Sequence, residues 1–156
     1  MSEENSLEEI KKFWPKDAPD VTNVPKYIQK YKKNLIVIKY GGNVLIDRNI
    51  FNNFIEDISI LNKLGLSIVV VHGGGPRIKK MLDRLNVKSS FINGLRITDK
   101  ETMSIVEMVL SGSINKELVM EINKEGGRAI GLSGKDALLV ETKKIISKVK
   151  KSNTKS

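Results

Sequence analysis

The sequence predicts an α/β fold with parallel strands, and three observations carry that prediction. Leu35-Ile36-Val37-Ile38 and Ile68-Val69-Val70-Val71 are continuous apolar runs, as expected of strands covered on both faces in a parallel sheet. Between them, Ile50, Phe51, Phe54, Ile55, Ile58 and Leu61 fall on one face of a helix. After the second run, Ile78, Met81, Leu82 and Leu85 mark another inward face. Strand, helix, strand, helix with short joins is a βαβ arrangement, with right-handed crossovers between its strands.

Taken in order, residues 2–14 read as a short acidic-to-basic helix ending at Trp14-Pro15, and Lys16 to Thr22, with Pro19, as a linker. Val24, Tyr27, Ile28 and Tyr31 recur at helical spacing, with Pro25 tolerated in the first turn. Asp47 is placed to cap the helix after the first strand, and Gly65 to end it. Pro76 opens the helix after the second strand. Thr98-Asp99-Lys100-Glu101 has the form of a capping box for a helix through Met103, Val106, Val109 and Leu110. Gly112 is expected to interrupt that helix and Ser113 to cap a new one through Leu118, Val119 and Ile122, ending at Gly126-Gly127. Ala129 to Leu132 reads as a third short strand, and Leu138 to Ile146 as the start of a hairpin.

Composition narrows the function classes. The chain has 156 residues, enough for one domain with a real core, and no cysteine, which excludes thiolate metal sites and cysteine nucleophiles. No apolar run approaches the ~20 residues that cross a bilayer. The acidic, polar start from Met1 to Glu9 resembles neither a secretory signal nor a transit peptide, so a cytoplasmic protein without a membrane partner is expected. The net charge of +9 hints at nucleic acid until it is located. All 18 acidic residues lie within 1–141 beside 21 Lys and Arg, leaving that stretch only +3. The rest is Lys143, Lys144, Lys148, Lys150, Lys151 and Lys155, in a tail without an aromatic residue to stack on bases. No nucleic-acid partner is expected.

The chemistry gathers in two glycine clusters, each directly after a strand: Lys39-Tyr40-Gly41-Gly42-Asn43 and His72-Gly73-Gly74-Gly75-Pro76. In a parallel sheet these strand ends share the edge where α/β proteins bind ligands. Glycine lets the backbone approach a ligand closely, and a helix starting at Pro76 adds unpaired N–H groups and the positive end of its dipole. Lys39 adds a full positive charge, and together these describe a phosphate cradle. Either turn alone reads equally well as a tight strand-to-helix join. The standard nucleotide motifs do not fit. A dinucleotide fingerprint read from Gly73 meets Ile78 at its third glycine, and the P-loop-like Gly131-Leu132-Ser133-Gly134-Lys135-Asp136 has Ala129 in place of its first glycine and no Ser or Thr after Lys135. His72, the one histidine, is expected to shape its turn by hydrogen bonding, and Met103 and Met108 to fill core.

Four segments together resemble acetylglutamate kinase, of the amino-acid kinase superfamily: Ile38-Lys39-Tyr40-Gly41-Gly42-Asn43, Val70-Val71-His72-Gly73-Gly74-Gly75-Pro76, Asn93-Gly94-Leu95-Arg96-Ile97-Thr98, and Gly131 to Asp136. The match in order and spacing runs from about Leu35 to Lys144. The first motif is shared loosely with aspartokinases and glutamate 5-kinases, whereas the triple glycine followed by Asn-Gly-Leu-Arg is the specific signal. The resemblance implies a three-layer α/β/α sandwich with a mainly parallel open sheet, of which this chain holds the N-terminal lobe. It implies ATP-dependent phosphorylation of the side-chain carboxylate of N-acetyl-L-glutamate, a step of arginine biosynthesis. Lys39 would neutralise the transferring phosphoryl group, and Gly41 and Gly42 would approach the ATP phosphates. The Gly74 and Gly75 amides would face the substrate carboxylate and phosphoryl oxygens, and Arg96 would pair with the α-carboxylate of acetylglutamate. Mg2+ would be carried by the nucleotide, with no protein metal site. Lys135 and Asp136 match the pattern in structural roles.

On the same resemblance, 1–33 would be an N-terminal helical extension, 34–142 the substrate-binding lobe, and 143–156 a basic tail ending before the ATP-binding lobe. The family's C-terminal half supplies the adenine pocket, a second phosphate-binding lysine, an aspartate that organises the lysines and an Asn-rich motif, none of which follows Lys144 here. The chain is therefore expected to be inactive alone, with a non-catalytic lobe that binds acetylglutamate or a partner chain as the alternative. Its first helices resemble the extension by which arginine-regulated members form hexamers, so the full-length protein would be a homo-oligomer.

Overall fold

A computed structural model describes residues 8, 10–42, 47–92 and 95–143. Asn43, Asn93-Gly94, the basic tail from Lys144 onward and most of the first ten residues lie outside the described residues. Within the expected first helix, Glu8, Ile10 and Lys11 are helical. The order is α1 (Val24–Tyr31), β1 (Leu35–Tyr40), α2 (Arg48–Lys63), β2 (Ser67–His72) and α3 (Gly75–Arg84). A two-residue-per-strand hairpin, β3 (Phe91–Ile92) and β4 (Leu95–Arg96), leads to α4 (Lys100–Glu107) and α5 (Asn115–Lys124), which a π-helical stretch, Met108–Ile114, joins.

The helix boundaries follow local chemistry. Asp47 accepts from the Asn49 and Ile50 amides, satisfying two of the donors that a helix start leaves open. The far ends of α2, α3 and α5 share one hydrogen-bond pattern, with Leu66, Val87 and Gly127 amides reaching back to Leu61, Leu82 and Ile122 carbonyls. That pattern needs a left-handed residue in between, and Gly65, Asn86 and Gly126 supply it with φ of 80°, 57° and 81°.

β1 and β2 pair in parallel, Leu35 with Ser67 through Tyr40 with His72, so both strands end level. The core lies on one side of this ribbon. Phe51, Ile55 and Ile58 of α2 meet Leu118 and Ile122 of α5, Ile78 and Leu82 of α3, Ile105 of α4, and Ile114. Tyr40 joins them, stacked on Phe54 with ring centroids 3.9 Å apart. Burying each such side chain contributes roughly 1.5–3 kcal/mol.

Several expectations are corrected. Met103 and Met108, expected to fill core, are exposed. The strands are not covered on both faces among the described residues: Leu35, Val37, Val69 and Val71 are exposed, because the helices of the core pack only against the Ile36, Ile38, Tyr40 side. Gly112 does not break its helix. The buried anchors Val109 and Ile114 hold the chain across it, and burial of that size outweighs the cost of about 1 kcal/mol for a helical glycine. The α4 cap is Asp99, which accepts from the Thr102 amide, whereas Thr98 donates its hydroxyl to the Arg96 carbonyl. Ala129 to Leu132 is not a strand, because side chains satisfy its backbone: Asn123 clasps Ala129, Lys116 donates to the Gly131 carbonyl and Asn115 to that of Leu132. The expected hairpin from Leu138 shows only a 3-10 turn at Asp136–Leu138 and irregular chain to residue 143, its remainder lying outside the described residues. No helix among the described residues is long and apolar enough to cross a membrane.

Candidate functional site

Level strand ends bring the two glycine turns against each other. The Gly73 amide donates to the Tyr40 carbonyl at 3.1 Å, extending the ladder by one bond past the strands. Gly42 then lies so close to the second turn that a Cβ there would sit 2.9 Å from the Gly74 nitrogen and 3.1 Å from that of Gly75. Backbone atoms cannot rotate away, so only glycine fits at this contact. Gly74 caps α3 and is buried, where a Cβ would meet the ends of Ile114 and Leu110 at 2.5 and 2.7 Å. Gly75 differs: it is exposed, and a Cβ on it would meet nothing within 4 Å. Packing therefore explains glycine at 42 and 74 but not at 75.

The charges around this junction are mostly positive. Lys39 is exposed on the uncovered face of β1, opposite Val71. α3 starts at this junction with no side-chain cap, so its first N–H groups and positive dipole end add to that charge, whereas Asp47 already takes two amides at the start of α2. His72 Nδ1 lies 3.3 Å from the Gly73 carbonyl, in keeping with a role in shaping the turn. Tyr40 is buried with no hydrogen-bond partner for its hydroxyl among the described residues, and burial, then the Asp47 carboxylate, push its ionisation above the usual tyrosine range.

Arg96 is placed separately, on the β3–β4 hairpin. Its guanidinium lies 4.6 Å from the centre of the Phe91 ring and donates to the Ser89 hydroxyl. No hydrogen bond among the described residues ties it to the glycine turns. Lys135 pairs with Glu107 at 2.5 Å, and Asp136 accepts from the Ser133 amide and hydroxyl, which lowers its carboxyl ionisation. Both serve to fold their loop.

Sequence reasoning missed Arg48, Arg77 and Glu117. Glu117, in the first turn of α5, accepts from Arg48 Nη1 on one oxygen at 2.9 Å and from Arg77 Nη1 on the other. The Arg77 hydrogen bond holds this carboxyl below its ordinary ionisation range, partial burial opposes that, and Arg48 lowers it further. A signal was present. Arg48 and Arg77 each stand in the first turn of a helix, where a cation faces the positive dipole end and calls for an anion nearby.

Two surface hollows among the described residues, of about 600 and 460 Å³, are lined by residues such as Asn62, Asn123 and Arg128 in one case and Trp14, Tyr27, Ile36 and Leu66 in the other. Neither includes a glycine-turn residue.

Residues 34–156 match the model of the amino acid kinase family. An acetylglutamate kinase of Campylobacter curvus is 56% identical over 117 residues, covering 75% of this chain and 42% of that protein. One from Hahella chejuensis is 55% identical over 119 residues, covering 76% of this chain and 39% of that protein. The chain thus spans about two fifths of the length of these relatives. Among solved structures, smu.665 from Streptococcus mutans superposes with a TM-score of 0.53 at 34% identity, covering 59% of this chain and 37% of that one.

Proposed function

Because the chain belongs to the amino acid kinase family, we propose that it supplies the acetylglutamate- and phosphoryl-binding part of an acetylglutamate kinase. The observation that carries this reading is the closure of the Gly42 turn on the Gly74 and Gly75 nitrogens, beside Lys39, at the end of a parallel strand pair. The similarity to kinases of that name supports the choice of substrate.

In this reading the side-chain carboxylate of acetylglutamate attacks the γ-phosphorus of ATP, forming an acyl phosphate as the bond to the β,γ-bridging oxygen breaks and ADP leaves. The nucleophile is already an anion, so no general base is needed and catalysis reduces to positioning and charge stabilisation. Lys39 neutralises the transferring phosphoryl group, Gly41 and Gly42 approach the ATP phosphates, and Gly74 and Gly75 face substrate carboxylate and phosphoryl oxygens. Arg96 pairs with the α-carboxylate through the two-pronged geometry of guanidinium. Backbone amides and a lysine suit phosphate oxygens, and Mg2+ bound to the nucleotide would neutralise them further. Residues 34–142 form the substrate-binding lobe of a three-layer α/β/α sandwich, with 1–33 as a helical extension through which the full-length enzyme oligomerises and 143–156 as a basic tail. The setting is cytoplasmic arginine biosynthesis. The two-fifths coverage of the relatives favours one second reading, a lobe that binds acetylglutamate or a partner chain without turnover.

The test is an assay of acyl phosphate formation by the 156-residue chain, alone and with the remaining part of a relative's chain, beside a calorimetric titration with acetylglutamate. We expect turnover only in the combination, with acetylglutamate bound in both. Turnover by the chain alone would overturn the half-enzyme reading. Binding without turnover in either case would leave the second reading, and absence of acetylglutamate binding would end both.

A further inference from the structure

Resting on that reading, we propose that Glu117 is a positioning residue for both glycine turns. Each turn runs into a helix, and the first turn of that helix carries an arginine, Arg48 in α2 and Arg77 in α3. One carboxylate takes one arginine on each oxygen, joining positions 69 and 40 residues away in the chain. The α5 turn that holds it is itself fixed. Its neighbours Asn115 and Lys116 hold the Leu132 and Gly131 carbonyls, and the buried Ile114 and Leu118 anchor it on either side.

The geometry has a chemical logic. Arg48 and Arg77 sit at the positive ends of two helix dipoles, so without an anion they would repel each other and those ends. A bound phosphate could supply that anion, but only by drawing the arginines into the cradle. Glu117 supplies it from the protein itself, with its side chain 23% exposed, so the arginines need no ligand to neutralise them. Isolated surface ion pairs contribute little, but a single carboxylate shared by two guanidinium groups from two further helices is a network with fixed geometry.

Hydrogen exchange on the 156-residue chain separates positioning from general stability. Three reporter amides stand at the turns: Gly73 bonded to Tyr40, Phe51 to Asp47, and Ile78 to Gly74. Two controls stand at the far ends of the same helices, Leu66 bonded to Leu61 and Val87 to Leu82. Glu117→Gln should speed exchange at the three reporters by about tenfold and leave the controls within about twofold, as loss of a charge-assisted link opens only what it ties. Equal acceleration at both sets, or none at either, would overturn the proposal. Should that variant not fold, Arg77→Gln and Arg48→Gln each cut one arm, and should loosen Ile78 and Phe51 respectively. Loosening of neither reporter would likewise end the idea. Acetylglutamate titration of the wild-type chain keeps the readings apart, since absent binding there removes the kinase reading without touching the exchange result.

Discussion

The glycine junction and the Arg96 hairpin are the two parts of the candidate site, and they are fixed by different forces. At the junction, contacts join residues about 30 positions apart through a parallel ladder, a backbone-to-backbone approach and a buried helix layer beneath. In the hairpin, Arg96 is held by Ser89 and Phe91, both within seven residues, and by the Thr98 hydroxyl on its carbonyl. One region is therefore set by topology and the other by local chain. It follows that the junction should tolerate no added atom at Gly42 or Gly74, while the hairpin should respond to changes of side-chain chemistry in small steps.

The largest effect expected is at Lys39. In an enzyme completed by the remaining part of a relative's chain, Lys39→Met should lower kcat on the order of 10²–10³-fold, as removal of one transition-state contact does. The KM for acetylglutamate should move far less, since the charge matters most as the phosphoryl group transfers. Steady-state kinetics with each substrate varied provide the check. Retention of most of kcat would reduce Lys39 to an exposed strand-end lysine and detach the junction from catalysis.

Next is the contact at Gly42. Its Cβ would press on the Gly74 nitrogen at 2.9 Å, so Gly42→Ala must part the two turns and should cost about 1–3 kcal/mol, the usual range for overpacking. Gly75→Ala meets nothing and should unfold within a degree or two of wild type on thermal denaturation, yet weaken ligand binding if its backbone is approached by substrate. Equal melting temperatures for Gly42→Ala and wild type would show that the turns part easily. Unchanged ligand affinity in Gly75→Ala would remove that residue from the site.

How much of this was legible in the sequence follows the same divide between local and distant causes. Asp47, Gly65, Pro76 and Gly126 read correctly because a cap or a left-handed residue acts within a few positions. The pairing of the two glycine turns was legible because parallel strands place their ends on one edge. Asp99 took the cap from Thr98 because both residues can cap and only side-chain geometry decides between neighbours. The stretch from Ala129 to Leu132 has a strand's composition, yet the side-chain amides of Asn123 and Asn115 and the Lys116 ammonium answer its backbone. Glu117 was illegible as a partner because its arginines are 69 and 40 residues away, although each arginine at a helix start was a visible anomaly. The face of Leu35, Val37, Val69 and Val71, uncovered among the described residues, was misread because an apolar run reports what a strand can bury, not what lies against it.

On the hairpin, Arg96→Lys keeps the charge but loses the planar fork and the stack on Phe91. In the completed enzyme it should weaken acetylglutamate binding by on the order of tenfold, from losing part of a charge-assisted pair worth ~1.5–3 kcal/mol. ATP affinity should barely change, since this arginine is assigned to the amino-acid end. Two calorimetric titrations, one per ligand, decide it. If both ligands suffer equally, the hairpin and the junction are a single coupled site and the contrast between them fails.

The smallest effect expected is at Ser89, and its direction matters more than its size. The Ser89 hydroxyl takes a hydrogen bond from one Arg96 nitrogen, leaving most of the five guanidinium N–H donors for a carboxylate. On the proposed reading, that arrangement would pre-orient the arginine for substrate rather than withhold it. Ser89→Ala removes one side-chain hydrogen bond, worth about 0.5–1.5 kcal/mol net, so acetylglutamate affinity in the completed enzyme should fall by about threefold. Stability should change little, because the bond is local and lies on a hairpin whose Phe91 and Ile97 remain exposed. The same titration on Ser89→Ala and on Ser89→Thr provides the check, threonine keeping the acceptor oxygen and restoring most of the affinity. An increase in affinity on Ser89→Ala would mean that Ser89 parks Arg96 away from the substrate. The hairpin would then be a latch that binding must open, and its local contacts would oppose the site instead of building it.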